Sequence, residues 1–294
     1  MLAAAALFST GGAVIKGIQL TGSQRASLRS AIAAVALLCV LPAARRAWPS
    51  ARVLLVACGY AGTLVSFVLA NTYASAATAI FGQSVAPLYL LLLAPWLLAE
   101  RVGVRDLWLI AALLAGLSLL ALDDPAPTLT ASDPGLGLAC ALASSFGWAL
   151  TMLGLRWLAR AGDTGARTAS AQALVCGNAI ACLATLPWAI PIPALSTRDL
   201  LLLAYLGVFQ IGLAYALLTL GLARMRTIAA SLLLLLEPAL SPLWAWLAHG
   251  ERPGPYTLAA GGTILLATGV HLCSQRAPSS ASPQPPAPAS TSDT

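Results

Sequence analysis

Apolar stretches alternate with short polar breaks along the first 273 residues, and each stretch is long enough to cross a bilayer. Reading for uninterrupted low polarity predicts spans near Leu2–Ile18, Ala26–Pro42, Val53–Thr72, Ala76–Leu98 and Leu107–Leu122. A second set follows near Leu136–Leu155, Ala169–Ile190, Leu200–Ala223, Ile228–Ala248 and Tyr256–Cys273. At about 1.5 Å per residue, some 20 residues match a hydrocarbon core of about 30 Å. Leu and Ala dominate, and no period-2 alternation suggests a barrel. The pattern predicts an all-α membrane protein with ten transmembrane helices.

Composition removes the soluble alternative. Charged residues make up 9% of the chain and hydrophobic ones 59%, with mean hydropathy +0.84, so ten such helices leave no surface to face water. The chain opens directly in apolar sequence, so Met1–Ile18 is expected to be a first spanning helix and not a cleaved signal peptide. A start that trims a short cytoplasmic leader is the alternative. Beyond Arg276 the residues are mostly Pro, Ser, Ala and Thr, and 274–294 is expected to be a disordered cytoplasmic tail.

Charge orients the spans. With the N-terminus in the cytoplasm, inner segments hold Arg45, Arg46, Arg52, Arg101, Arg105, Arg156, Arg160, Arg167, Arg224, Arg226 and Arg276. Arg25, Arg29, Arg198 and Arg252 fall outside or at the outer rim, and the loop after the fifth span carries Asp123, Asp124 and Asp133. The positive-inside rule then places both termini in the cytoplasm. The same bias accounts for the net charge of +6, and no basic stripe is present to track a nucleic acid. Cys39, Cys58, Cys140, Cys176, Cys182 and Cys273 lie in or beside spans without a CxxC or a Cys/His cluster, so no metal is expected. His249 and His271 fall near opposite faces, which leaves no Ser/His/acid set and no reason to expect an enzyme.

Sliding the chain against itself places Pro87 on Pro238, Glu100-Arg101 on Glu251-Arg252, and Gly103 on Gly254. A second, weaker offset pairs Ser9 and Gly11 with Ser145 and Gly147. Each copy holds an odd number of spans, so the second must insert upside down relative to the first. The expected organisation is a first five-helix repeat over 1–122, an outer linker loop over 123–134 and an inverted second repeat over 135–273. Inverted repeats supply two arrangements, one open to each side, the basis of alternating access.

Three local patterns carry a family resemblance: Phe8-Ser9-Thr10-Gly11-Gly12-Ala13-Val14-Ile15-Lys16; Asn71 to Arg101, with mid-helix Pro87 and terminal Glu100-Arg101; and Leu236-Glu237-Pro238 with Gly250-Glu251-Arg252. On these the chain resembles the drug/metabolite transporter superfamily, specifically its EamA-type branch. The resemblance implies a ten-helix inverted-repeat fold in a bacterial inner membrane, a central cavity, and secondary transport of a small organic solute such as an amino acid, with efflux favoured. It implies no cofactor, and a proton is a candidate co-substrate. The competing reading is a non-transporting membrane sensor or assembly protein that reuses the fold.

Polar groups at membrane depth are costly and normally face a cavity or a neighbouring helix. Lys16 and Glu237 are the clear intramembrane charges. Lys16 either snorkels to the headgroups or serves the cavity, attracting a carboxylate or pairing with an acid. Glu237 precedes Pro238 and is a candidate for substrate binding, for proton carriage, or for bracing a kinked helix. Pro87 and Pro238 are candidate kinks, since each lacks the N–H a helix interior needs. Uncharged cavity candidates are Asn71, Tyr73, Gln83, Ser84, Ser144, Ser145, Trp148, Gln210 and Tyr215. Gln210 and Tyr215 lie five residues apart, a spacing that does not by itself place them on one face of an α-helix.

Overall fold

Local sequence starts and stops the helices where polar caps allow. Thr21 accepts from the Gln24 N–H while the Gln24 side chain accepts from Thr21 N–H, a reciprocal capping box. Ser50, Ser75 and Ser196 each accept from the N–H three residues on. In the computed structural model of the chain, residues 2–45, 48–98, 103–122, 131–159, 163–222, 233–234 and 236–274 are described. Among them there is no β-sheet.

The helices are α1 (Leu2–Ser9), α2 (Gly11–Lys16), α3 (Gly22–Val40), α4 (Ala51–Tyr73), α5 (Ala76–Gln83), α6 (Ala86–Leu98) and α7 (Val104–Leu122). They continue with α8 (Pro134–Ala159), α9 (Asp163–Ala189), α10 (Thr197–Ala204), a π-helical segment (Tyr205–Leu213), α11 (Ala214–Leu222), α12 (Leu236–His249) and α13 (Pro255–Ser274). These elements fall on the ten predicted apolar stretches. Six are long and apolar enough to span a bilayer: Ala51–Tyr73, Ala76–Leu93, Pro134–Leu158, Arg167–Ala189, Thr197–Leu218 and Pro255–Ser274. The chain is an integral membrane protein.

Three stretches are not the unbroken α-helices their apolar sequence suggests. The first divides at Thr10, whose hydroxyl bonds the Leu7 carbonyl at 2.7 Å. The fourth divides between Gln83 and Ala86 because Pro87 offers no N–H to the Gln83 carbonyl and its ring would strike that group. The eighth widens into the π segment. α3 is the most polar of the long helices, since its first turns carry Gln24, Arg25 and Arg29.

Which faces pack is fixed by small residues. α4 lies along α8 and α9, α3 lies along α9 and the π segment, and α7 lies along α13. Gly147 lets α8 approach α4 so closely that an added Cβ would sit 2.9 Å from the Thr63 backbone nitrogen. Large apolar side chains such as Leu55, Leu183, Leu201 and Leu266 remain on the outside, as a lipid-facing surface requires. Trp48, Trp108, Trp188 and Trp246 are exposed too, near helix ends, where indoles form interfacial belts.

Polar contacts separate the two ends of the bundle. One end joins Gln19 N–H to Asp199 Oδ1 at 2.9 Å, Gln24 Nε2 to the Pro191 carbonyl at 3.0 Å, and Asp133 N–H to the Tyr73 carbonyl at 3.0 Å. The other pairs Asp106 with His271 at 3.5 Å and stacks Arg52 over the Trp157 ring at 5.1 Å. Arg46, Glu100, Arg101, Asp123, Asp124, Arg160, Arg224, Arg226, Arg276 and the tail over 275–294 lie outside the described residues, as does most of the linker loop.

Candidate functional site

A cavity of about 250 Å³ opens in the middle of the bundle. Its walls come from eight of the ten stretches. α4 supplies Tyr60, Thr63, Leu64 and Phe67, and the α5–α6 break supplies Gln83, Ser84 and Pro87. The π segment and α11 contribute Gln210, Ile211, Tyr215 and Leu218, while α12 contributes Glu237 and Pro238. Phe8, Arg29, Trp148 and Thr268 complete it from α1, α3, α8 and α13.

The broken helices are what shape this space. Pro87 stands at the second position of α6, where a missing N–H costs little because first-turn amides are unpaired anyway, and Pro238 lies beside Glu237 in α12 on the cavity wall. The π segment has a physical consequence for Gln210 and Tyr215. Its i→i+5 bonding adds residues to each turn, so side chains five apart come nearly into line, and both reach the cavity. The α-helical spacing of the sequence does not bring them together; the π turn does.

Of the sequence candidates, Gln83, Ser84, Trp148, Gln210, Tyr215 and Glu237 line the cavity, with Pro87 and Pro238. Ser144 and Ser145 are fully buried behind it. Ser144 accepts from Gln83 Nε2 at 2.9 Å and donates to the Thr63 carbonyl at 3.1 Å, so it fixes the Gln83 side chain from the rear. Asn71 is buried between helices, donating to the Phe67 carbonyl at 2.9 Å, and Tyr73 lies at the end of α4. Ser9 of α1 accepts from Trp244 Nε1 at 2.9 Å.

Lys16 lies away from the cavity, at the end of the bundle. Its ammonium reaches the Ala74 carbonyl at 2.7 Å and Glu251 Oε1 at 2.8 Å. Glu251 Oε2 in turn accepts from the Ala76 N–H at 3.0 Å, at the N-terminus of α5. Beside it His249 Nε2 lies 2.7 Å from the Ala13 carbonyl. This cluster ties α2, α4 and α5 to the end of α12 and the segment after it.

Arg29 corrects the charge reading of the sequence. Counted there as a rim residue, it is 3% exposed and faces the cavity. Starting the second span at Ala26 left Arg29 one turn from water; the Thr21 cap moves the helix start to Gly22 and carries Arg29 a turn deeper. Arg25 and Arg29 share a face of α3 at i, i+4, the one signal in the sequence for a polar inward stripe. Tyr60 and Phe8 were also missed, since aromatics in apolar helices carry no mark of their own. Phe8 and Tyr60 both pack edge-on against Tyr215, with ring centroids 5.1 and 5.9 Å away. All six cysteines are free, and no metal-binding cluster occurs among the described residues.

Residues 135–273 match the EamA-like transporter family. That stretch is similar to an EamA-like transporter unit. A solved structure titled only "Crystal structure of protein" is similar over 92% of this chain and 96% of its own, with TM-score 0.62 and 20% identity, a likeness of fold. No curated protein matches the chain. That family match points to a membrane transporter rather than an enzyme.

Proposed function

We propose that the protein is a secondary active transporter that moves a small organic metabolite, such as an amino acid, by alternating access, with efflux as its direction. The observation that carries this reading is the central cavity, lined by broken helices and holding charged groups at membrane depth. Family membership of residues 135–273 supports transport, and the direction rests on the resemblance alone.

The inverted-repeat reading, with units 1–122 and 135–273 joined by 123–134, draws support from how the stretches pack. Exchange each stretch for its counterpart and several of the larger seams are preserved. α9 on α3 and α13 on α7 map onto themselves, and α4 against α9 maps onto the π segment against α3. Glycines obey the same exchange. A Cβ on Gly11 would meet Gln210 of the eighth stretch, and one on Gly147 would meet Thr63 of the third.

In the proposed cycle, the contacts around Lys16 and Glu251 shut one end while the other gives access. Rocking of one repeat against the other would then break that cluster and close the opposite end. A proton is the candidate coupling ion and Glu237 its candidate carrier, because a carboxylate can hold either a proton or a cationic solute, but not both. That exclusion is all an exchanger requires.

Comparison of metabolites inside and outside expressing and deleted cells, followed by flux of the depleted or accumulated solute in reconstituted vesicles, tests the reading. Solute movement that collapses with the proton gradient is the expected result. Vesicles that move no solute would leave the fold as a sensor or assembly protein.

A further inference from the structure

Arg25 and Arg29 share one face of α3, a turn apart, but they keep different company. Arg25 has Asp199 within electrostatic reach, and its Nη1 lies 3.4 Å from Thr72 Oγ1. Arg29, a turn deeper, is 3% exposed and makes no salt bridge among the described residues. The groups within electrostatic reach of it are Tyr60 and Tyr215, and no described carboxylate is among them. Glu237 lines the same cavity and influences Tyr215, but not Arg29.

Nε and Nη1 of Arg29 are buried without a hydrogen-bond partner, and so is the Tyr60 hydroxyl. All three can donate, and both residues line the cavity. A guanidinium stays charged, so what Arg29 lacks is a counter-charge as well as acceptors. Water can satisfy the donors. It cannot offset an isolated buried charge, which a low-dielectric interior holds only at high cost. An anion answers both needs.

The donors narrow the kind of anion. The N–H bonds of Nε and Nη1 leave different edges of the guanidinium plane, so one carboxylate cannot bridge that pair as a fork. A monatomic ion needs no such pair, since it accepts from one N–H and from the Tyr60 hydroxyl at whatever angle they meet. Phe8, Phe67 and Trp148 make much of the surrounding wall apolar, which suits an ion that sheds its water readily. Such an ion also fills little of the 250 Å³ cavity and leaves room for a solute beside it.

We propose that Arg29 and Tyr60 form a site for a small halide, chloride in the cell, in the wall of the cavity. The bound ion compensates Arg29, and the net charge of the cavity is then set by Glu237 alone. The site goes beyond the transport reading and needs none of it, because a sensor with this fold would bind chloride equally.

The full chain, purified in detergent with methanesulfonate as the only small anion, provides the test. Chloride added at constant ionic strength should give a saturable heat in calorimetry and raise the melting temperature along a saturating curve. Bromide should do the same and methanesulfonate should not. Arg29→Gln should weaken chloride binding roughly tenfold or more, as loss of a charge-assisted hydrogen bond requires. Arg29→Lys, which keeps the charge, should retain part of the binding, and Arg25→Gln should keep the saturable response. Tyr60→Phe should weaken binding while the ring keeps its packing against Tyr215, so it reads the site even if Arg29→Gln does not fold.

A response that follows ionic strength alone, the same for chloride and methanesulfonate, overturns the proposal. So does saturable chloride binding that survives undiminished in Arg29→Gln or, should that variant not fold, in Tyr60→Phe. Acetate, titrated against bound chloride, separates the two sources of negative charge. Chloride holding its place is the expected result. Acetate binding roughly tenfold or more tightly would give the site to the carboxylate of a solute and overturn the halide assignment.

Discussion

Lys16 Nζ and Glu251 Oε1 meet 2.8 Å apart, with only 2% and 11% of the two side chains exposed, and so tie the second helix of the chain to the loop after α12. The pair does not stand alone. The Ala74 carbonyl and the Ala76 N–H complete its shell, so the break between α4 and α5 is held by the same contacts. Aligned on Ser9 with Ser145 and Gly11 with Gly147, Lys16 falls on Met152. The repeat thus has no lysine at the matching place at the other end.

Removing one partner of a buried pair strands the other charge, at a cost of about 3–5 kcal/mol. Glu251→Gln should therefore lower the melting temperature and favour opening at that end. In a background lacking the six native cysteines, Tyr73→Cys should react faster with a membrane-impermeant maleimide once Glu251→Gln is added. Lys16→Met with Glu251→Leu should recover much of the stability but not the closed end. Unchanged labelling would remove the gating role from this pair.

Glu237 divides two readings that share one residue. Glu237→Gln keeps size and hydrogen bonding while removing titration. If Glu237 carries the proton, the purified variant should still exchange solute for solute, at a rate no longer dependent on pH, and should lose accumulation driven by a proton gradient. A folded variant with the parent's rate and pH profile would leave Glu237 as a brace for α12.

Two glycines should respond in opposite ways to the same substitution. An alanine at Gly147 would place its Cβ 2.9 Å from the Thr63 backbone nitrogen and 3.0 Å from the Gly59 carbonyl, neither of which can swing aside. Overpacking of this kind costs about 1–3 kcal/mol. Gly262 has nothing within 4 Å of the same added atom, so Gly262→Ala should gain up to about 1 kcal/mol of helix propensity. Melting temperatures of the two variants in one detergent check the contrast; equal shifts would show that the α4–α8 seam is looser than its geometry.

Sidedness is the fourth expectation. Reporter fusions at Arg46, Asp124, Arg160, Arg198 and the C-terminus should report in, out, in, out, in. A C-terminus on the outside would contradict both the arginine bias and the inversion of the second repeat.

Hydropathy alone located the helical stretches, because a bilayer demands long apolar runs and little else imitates them. Pro87, Glu237 and Gln83 were legible as candidates for a related reason: proline and polar groups are conspicuous in Leu/Ala sequence. Depth and facing were not. Arg29 passed for a rim charge because only the cap at Thr21 sets where α3 begins, and a turn of helix separates headgroup from cavity. Gln210 and Tyr215 came together only through the π segment, which sequence periodicity does not announce. Lys16 found Glu251 some 235 residues along the chain, and Phe8, Tyr60 and Tyr215 found one another across three helices. Such partnerships depend on how helices rotate and approach, which is set by side-chain packing between segments far apart in sequence. The chain by itself determined that it lives in the membrane and roughly where it crosses; packing decided which of its buried charges are paired and which are left facing the cavity.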